Sequence, residues 1–291
     1  MNILISSDIN YLDKYITMLC SLKKNTKEKI NAFFLNYRVE EKDISQFMKT
    51  MELYDVKVDI IDVKEIEFGN YPIAHHLSVE TYFRILAQFI LPVETDRILW
   101  LDADIVVLKD IAEFYYQDFK GKKYVVCEEK VNDTDYGKDL KRRLGLPDNH
   151  RYFNAGVMLM NLKLLREDTN VESIMRECEI LKNKVEWFDQ DILNIIYQDQ
   201  LKYDNPSKYN YQLSHDKSIP KTELKNICIL HYNTCHKPWK YEEMNETSIY
   251  YWKAYSERGK KQKRKAKQVY KSKITEAIDS IKMSIKGFAS L

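Results

Sequence analysis

Through residues 2–108, short apolar runs alternate with stretches of helical periodicity. That alternation narrows the choice of fold more than any other feature of the chain. "NILISSD" (2–8), "INAFFLNY" (30–37) and "KVDIIDV" (57–63) read as strands. Between them, "YLDKYITMLCSLKK" (11–24) sets Leu12, Tyr15, Ile16, Leu19 and Leu22 on one helical face, and "EEKDISQFMKTMELY" (40–54) reads as a second helix. A third, "HHLSVETYFRILAQFIL" (75–91), is stopped by Pro92. Strands that are apolar on both faces, with helices between them, predict an α/β fold: a mostly parallel central sheet flanked by helices. The second half is less regular. A strand is expected over 152–162, a helix over 172–184, a loop opening a helix over 188–198, and a late strand over 227–233.

One of these apolar runs carries charge. "ILWLDADIVVL" (98–108) reads as a strand with Asp102 and Asp104 inside it, so both carboxylates are expected on one face with nothing in the run to neutralise them. A strand-end turn, with each carboxylate bonded to backbone, is the plain alternative. A cation is the chemical one, because ligands of open α/β sheets bind at the carboxyl ends of strands. Hard oxygen ligands suit Mg²⁺ or Mn²⁺, and a nearby imidazole tilts the choice towards Mn²⁺. His231, which closes the run "ICIL" and opens "HYNTCHKPW" (231–239), is a candidate for that imidazole or a satisfied structural histidine. Lys237 before Pro238 and Trp239 is either an electrophilic partner for phosphate or part of a turn capped by an indole. The chain has seven glycines and no GxGxxG or P-loop pattern, so a nucleotide would not rest in a glycine-rich cradle.

Charge divides the chain. The formal net charge is +2, yet residues 259–273, "GKKQKRKAKQVYKSK", hold eight Lys/Arg and no acid, which leaves residues 1–258 about six units acidic. Beyond them Ile274, Ile278, Ile281, Ile285 and Phe288 recur at helical spacing. The expected organisation is a single domain over 1–258 and a basic amphipathic tail over 259–291. That tail is either solvated, packed on the body, or laid on an anionic membrane surface. Five scattered cysteines without a CxxC pair indicate neither a zinc ribbon nor a disulfide framework. "MNILISSDIN" does not resemble a signal peptide, and no apolar run approaches the ~18 residues needed for a bilayer span. The expectation is a cytoplasmic protein, peripheral on the inner membrane face through its tail.

Six ordered motifs across residues 1–240 resemble glycosyltransferase family 8, whose members are retaining sugar-nucleotide transferases with the GT-A fold. They are "SSDINY" (6–11), "SVETYFRILAQFILP" (78–92), "LDADIVV" (101–107), "FNAGVMLMNL" (153–162), "DQDILN" (189–194) and "HYNTCHKPW". The likeness is greatest to bacterial galactosyltransferases and glucosyltransferases that extend surface glycans. The resemblance implies that Asp8 and Asn10 read uracil while Tyr11 stacks on it, and that Arg84 contacts the diphosphate or sugar. Asp102, Asp104 and His231 would hold Mn²⁺, or Mg²⁺, against the diphosphate. Asn154 and Asp189 would hold sugar hydroxyls, Gln190 would lie beside the anomeric carbon, and Lys237 would steady the leaving UDP. Thr234 stands where the family signature has glycine, so a Cβ and a hydroxyl enter a place where backbone usually meets the diphosphate.

The resulting expectation is a GT-A-like hexosyltransferase that moves galactose or glucose from a UDP-sugar to a glycan or glycolipid hydroxyl, in surface polysaccharide or lipopolysaccharide synthesis. No nucleic-acid partner is expected. Two other readings compete: a metal-dependent phosphohydrolase, and a catalytically weak UDP-sugar- or glycan-binding module.

Overall fold

The computed structural model describes residues 1–63, 83–167, 169–213 and 218–289, with side chains as far as residue 276. Its strands are β1 (Asn2–Ser6), β2 (Ile30–Asn36), β3 (Val56–Asp62), β4 (Arg97–Leu101), β5 (Ile105–Val107), β6 (Tyr124–Glu128), β7 (Phe153–Asn161), β8 (Leu201–Asp204), β9 (Tyr211–Gln212) and β10 (Ile229–His231). Seven of them form one sheet in the order β3-β2-β1-β4-β7-β6-β8, and the other three form a small sheet, β5-β10-β9. In the large sheet β7 runs antiparallel to both β4 and β6, while the remaining neighbours are parallel, so the sheet is mostly parallel as expected.

Strand geometry sends alternate residues to opposite faces, and here each face meets an apolar layer. Ile3, Ile5, Leu99, Leu101, Val157 and Leu159 join Leu12, Met18 and Leu22 of the helix Ile9–Lys24. Leu4, Ile98, Trp100, Met158 and Met160 join Ile192 and Leu193 of the helix Phe188–Ile196. This is why the strands read as unbroken apolar runs. The first helix starts at Asp8, whose carboxylate accepts from the backbone N–H groups of Asn10 (2.9 Å) and Tyr11 (3.2 Å), a cap worth about 1 kcal/mol.

Two expectations change. The run 98–108 is not one strand: β4 ends at Leu101, β5 begins at Ile105, and the two lie in different sheets. Asp102 and Asp104 therefore stand on the turn between the sheets rather than on a strand face. A central strand would bury both carboxylates under an apolar layer, and the chain leaves the large sheet where they begin. Of the helix expected over 75–91, residues 75–82 lie outside the described residues. The remainder is interrupted at Leu86, resumes over Ala87–Ile90, and turns extended at Leu91, the residue before Pro92.

The chain divides into two compact units, Met1–Ser214 with Pro220–Asn233, and His215–Ile219 with Thr234–Leu291. In the second, the helices Ser248–Glu257 and Lys260–Ala289 pack together. Gly259 joins them at φ 145°, a conformation that a Cβ would strain. The expected basic tail is thus helical. It buries Ala266, lays Lys273 over the Tyr241 ring and accepts a hydrogen bond at Glu276 from the Tyr241 hydroxyl (2.7 Å). No helix among the described residues is long and apolar enough to cross a membrane.

Candidate active site

β1 lies between β2 and β4, so the chain builds outward on one side of β1 and then returns to its other side. The carboxyl ends of strands at such a switch point leave a crevice where open α/β sheets take ligands. Here that crevice receives Asp8 after β1 and Asp102 after β4.

The ligand turn is fastened on both sides by backbone. Asp102 donates its N–H to the Gly156 carbonyl of β7 (3.0 Å), and Tyr232 donates its N–H to the Asp104 carbonyl (2.9 Å). β10 pairs antiparallel with β5, setting His231 opposite Ile105. The outcome is a group of three: one ligand atom from each of Asp102, Asp104 and His231 lies within 4.8 Å of the others. His231 Nε2 is 3.2 Å from Asp104 Oδ1 and 3.9 Å from Asp102 Oδ2. Two carboxylates and an imidazole, drawn together at a strand end, are a donor set that fits a divalent cation.

Contrary to the sequence reading, Asp102 is not left without a counter-charge. Its Oδ1 accepts from Trp100 Nε1 (2.7 Å) and lies 3.3 Å from Arg84 NH2, so Oδ2 is the oxygen turned towards His231. Arg84 stacks over the Trp100 ring, with its guanidinium carbon 4.4 Å from the centroid. Its Nε also pairs with Asp189 Oδ2 at 2.7 Å, and NH1 donates to the Ala155 carbonyl (3.0 Å). Burial opposes the Arg84 charge, but Asp189 and Asp102 outweigh it and hold the guanidinium above its ordinary pKa. Burial pushes the Asp189 carboxyl up, and Arg84 only partly offsets that. Three carboxyl groups, Asp102, Asp104 and Asp189, thus gather around a single guanidinium, a surplus of acidic groups that suits a divalent cation.

Gln190 and Asn154 meet beside this cluster. Gln190 Oε1 accepts from the Ala155 N–H (2.9 Å) and from Asn154 Nδ2 (3.3 Å). Asn154 Nδ2 also donates to Glu129 (2.7 Å), while its Oδ1 accepts from the Gly156 N–H (3.0 Å) and Asn210 Nδ2 (2.9 Å). Asn154 is thus a junction with both ends bonded to protein. Asp191, in the same first helical turn as Gln190, is fully buried and bonded to the backbone of Glu186 and Trp187 and to the Tyr152 hydroxyl. A polar cavity of about 160 Å³ opens beside Glu129, lined also by Lys130, Asn132, Ser207 and Gln212.

The remaining expected site residues have their own local surroundings. Asn10 and Tyr11 are exposed in the first turn after β1, and Asn10 Nδ2 donates to Asp8 (3.1 Å). Lys237 belongs to the second unit, where its N–H donates to Glu243 (2.7 Å). In the same unit Trp252 donates to the Pro238 carbonyl (2.8 Å), and the Trp239 and Tyr251 rings sit 5.3 Å apart, so the turn is also anchored by indoles. Thr234 is half-buried. Two buried polar atoms next to strand ends, Ser7 Oγ and Asn233 Oδ1, have no hydrogen-bond partner among the described residues. Sequence reasoning missed Gly156, Glu129 and Asn210. Gly156 was visible only as part of an apolar run, and a Cβ there would fall 2.3 Å from His231 Cε1.

Comparison with known proteins identifies the setting. The family model described as glycosyl transferase family 8 matches residues 2–243. The chain belongs to glycosyltransferase family 8. A relative from Haemophilus influenzae, described as a putative glycosyltransferase, is 28% identical over 245 residues, covering 82% of this chain and 73% of its own. The lipopolysaccharide 1,2-glucosyltransferase of Escherichia coli K12 is 24% identical over 250 residues, with 82% and 72% covered. The chain spans 60% of glycosyltransferase GlyF from Streptococcus pneumoniae, at 26% identity. Among solved structures, the galactosyltransferase LgtC in complex with donor and acceptor sugar analogues superposes with a TM-score of 0.73 at 21% identity, covering 87% of this chain and 95% of that one. The family 8 chain therefore has the α/β, GT-A-like fold of that enzyme.

Proposed function

We propose that this family 8 chain is a retaining hexosyltransferase that moves galactose or glucose from a UDP-sugar to a hydroxyl of a glycan or glycolipid acceptor, in cell-surface glycan synthesis. The observation that carries the proposal is the convergence of Asp102, Asp104 and His231 at the switch point of the sheet. Mn²⁺ held by these three would supply positive charge against a diphosphate as it leaves. Lys237 would steady the same diphosphate from its own turn. Asp8, Asn10 and Tyr11 would take the base, with Tyr11 exposed for stacking. Ser7 Oγ and Asn233 Oδ1, without partners among the described residues, are available to a donor.

The side chains around the sugar have defined tasks on this reading. Arg84 would fix Asp189 and Asp102 in place, so that Asp189 holds sugar hydroxyls and Asp102 Oδ2 faces the cation. Asn154 would share its bonds with a sugar hydroxyl. Gln190 would lie against the sugar, its carbonyl oriented by the Ala155 N–H. An amide is a poor nucleophile, so we favour return of the acceptor from the face that UDP leaves, through an oxocarbenium-like state stabilised electrostatically. The acceptor would approach from the cavity beside Glu129.

The exposed cations of the helix Lys260–Ala289 would bring the protein to an anionic membrane face on the cytoplasmic side. A hydrolase of the two-metal kind would need further ligands. Among the described residues Asp102, Asp104 and His231 form the one such group. The deciding experiment incubates the protein with Mn²⁺ and UDP-galactose, UDP-glucose or their N-acetyl forms, first without acceptor. Slow UDP release that a glycan acceptor accelerates supports transfer. Inorganic phosphate release would support a hydrolase, and binding without turnover a module.

A further inference from the structure

The hydrogen bonds around β7, β9 and β10 fix the proton on one particular nitrogen of His231. The backbone N–H of Gly156 can only donate. It donates to the Asn154 side chain, so the Asn154 atom facing it is the oxygen (3.0 Å). The opposite end of Asn154 is then the NH₂ group, and it meets an acceptor, the Glu129 carboxylate (2.7 Å). Asn154 Oδ1 is also 2.9 Å from the Asn210 side chain, which must present its own NH₂ there. Asn210 therefore turns its oxygen the other way, to His231 Nδ1 at 2.9 Å. An amide oxygen only accepts, so Nδ1 carries the proton.

A neutral imidazole protonated at Nδ1 has a bare lone pair at Nε2. Nε2 is the nitrogen that faces Asp104 Oδ1 across 3.2 Å and Asp102 Oδ2 at 3.9 Å. We infer that Asn210 is a positioning residue: it holds the Nδ1–H form of His231, so that Nε2 is presented as a ligand towards Asp102 and Asp104.

Asn210 is suited to the task by its burial. It is 1% exposed, follows the short helix Pro206–Tyr209, and precedes β9, which pairs in parallel with β10 and sets Leu230 against Tyr211. Its own N–H is spent on the Pro206 carbonyl (3.1 Å), which leaves the side chain to span Asn154 and His231. Gly156 completes the arrangement, since only a residue without Cβ fits beside the imidazole. One line of amides thus runs from Gln190 through Asn154 and Asn210 to His231. Partners of this kind, one bond removed from a ligand, commonly change metal affinity about 10–100-fold when lost.

This inference rests on the reading of the three residues as a metal centre, so the first measurement is made without metal. Long-range ¹H–¹⁵N correlation spectra of the metal-stripped protein at pH 8, with His231 assigned through His231→Gln, should show a proton on Nδ1. A form with Nδ1 bare would overturn the inference whatever the protein transfers. Next, Asn210→Ala should mix the two tautomers and weaken Mn²⁺ binding, measured by calorimetry, about 10–100-fold. Asn210→Asp offers His231 an acceptor but Asn154 no donor. It should keep the Nδ1–H form and hold Mn²⁺ affinity within a few-fold of wild type, which is roughly the scatter expected of a conservative change. If Asn210→Ala leaves tautomer and affinity unchanged, or if Asn210→Asp fails as the alanine variant does, Asn210 does not act through the imidazole. Should the alanine variant not fold, the wild-type spectrum and the aspartate variant decide the matter.

Discussion

Adding one methyl group at Gly156 tests the geometry of the metal centre most directly. An alanine Cβ there would lie 2.3 Å from His231 Cε1, 2.9 Å from His231 Nε2 and 2.9 Å from Asp102 Oδ2. Ordinary contact begins near 3.4 Å, so the imidazole would have to retreat by about 1 Å. It has little room to do so: the residue is 1% exposed, its Nδ1 is bonded to Asn210, and its backbone is paired to Ile105. Metal–ligand distances tolerate about 0.2 Å, so a displacement of this size removes a ligand rather than bending a bond. Gly156→Ala should weaken Mn²⁺ binding by about 100-fold and cost about 1–3 kcal/mol of stability through overpacking. Titration calorimetry with Mn²⁺ gives the first figure, and thermal unfolding followed by circular dichroism gives the second. The variant should remain folded, because the clash involves two side chains at a site edge and not the sheet itself. A folded Gly156→Ala protein with wild-type Mn²⁺ affinity would falsify the assignment of His231 as a ligand.

Asp104→Asn keeps shape but removes a charge that faces His231, so turnover should vanish while the melting temperature holds or rises; activity in excess chelator would dismiss the metal altogether. Gln190→Ala should lower kcat by about one to three decades with donor KM nearly unchanged if the side chain acts on the transition state, and an unchanged kcat would remove Gln190 from the chemistry. His150 is buried, and burial lowers its pKa from 6.5 despite the bond to Asn194 Oδ1 (3.0 Å). The unfolded chain therefore takes up this proton first as pH falls. Its contribution to stability is complete above pH 6.5 and fades below it, so His150→Gln should flatten urea midpoints measured from pH 7 down to pH 5. Replacing the exposed Lys261, Arg264, Lys265 and Lys267 with glutamine should reduce flotation with anionic vesicles and spare transfer to a soluble acceptor; equal flotation of both proteins would defeat membrane docking through this helix.

The sheet was legible because its strands are apolar on both faces, a pattern that survives without knowledge of partners. Observed β1, β2 and β3 fall within a residue or two of the expected runs. The break between Leu101 and Ile105 was not legible, since "LDADIVV" keeps the composition of a strand while its two halves pair with different sheets. The ligand set was read from residue types and motif order, but its closeness depends on β10 meeting β5, a pairing between residues far apart in sequence. Arg84 was visible as a cation for phosphate; its bonds to Asp102 and Asp189 required the fold. Asn210 and Gly156 carry no local signal at all. One is an asparagine in a tyrosine-rich stretch, and the other a glycine inside "FNAGVMLMNL" that looks like a small core residue.

Asp102, Asp104 and His231 are each fixed by main chain: Asp102 to Gly156 of β7, Asp104 to Tyr232, and His231 to Ile105 across β10 and β5. Exposed positions of the connection between β6 and β7, such as Asp133, Asp139 and Asp148, could therefore change while Asp102, Asp104 and His231 kept their spacing. Substitutions at such positions are free to accumulate without moving the three residues. In such a scaffold, drift of the exposed surface is uncoupled from the spacing of the Asp-Asp-His group.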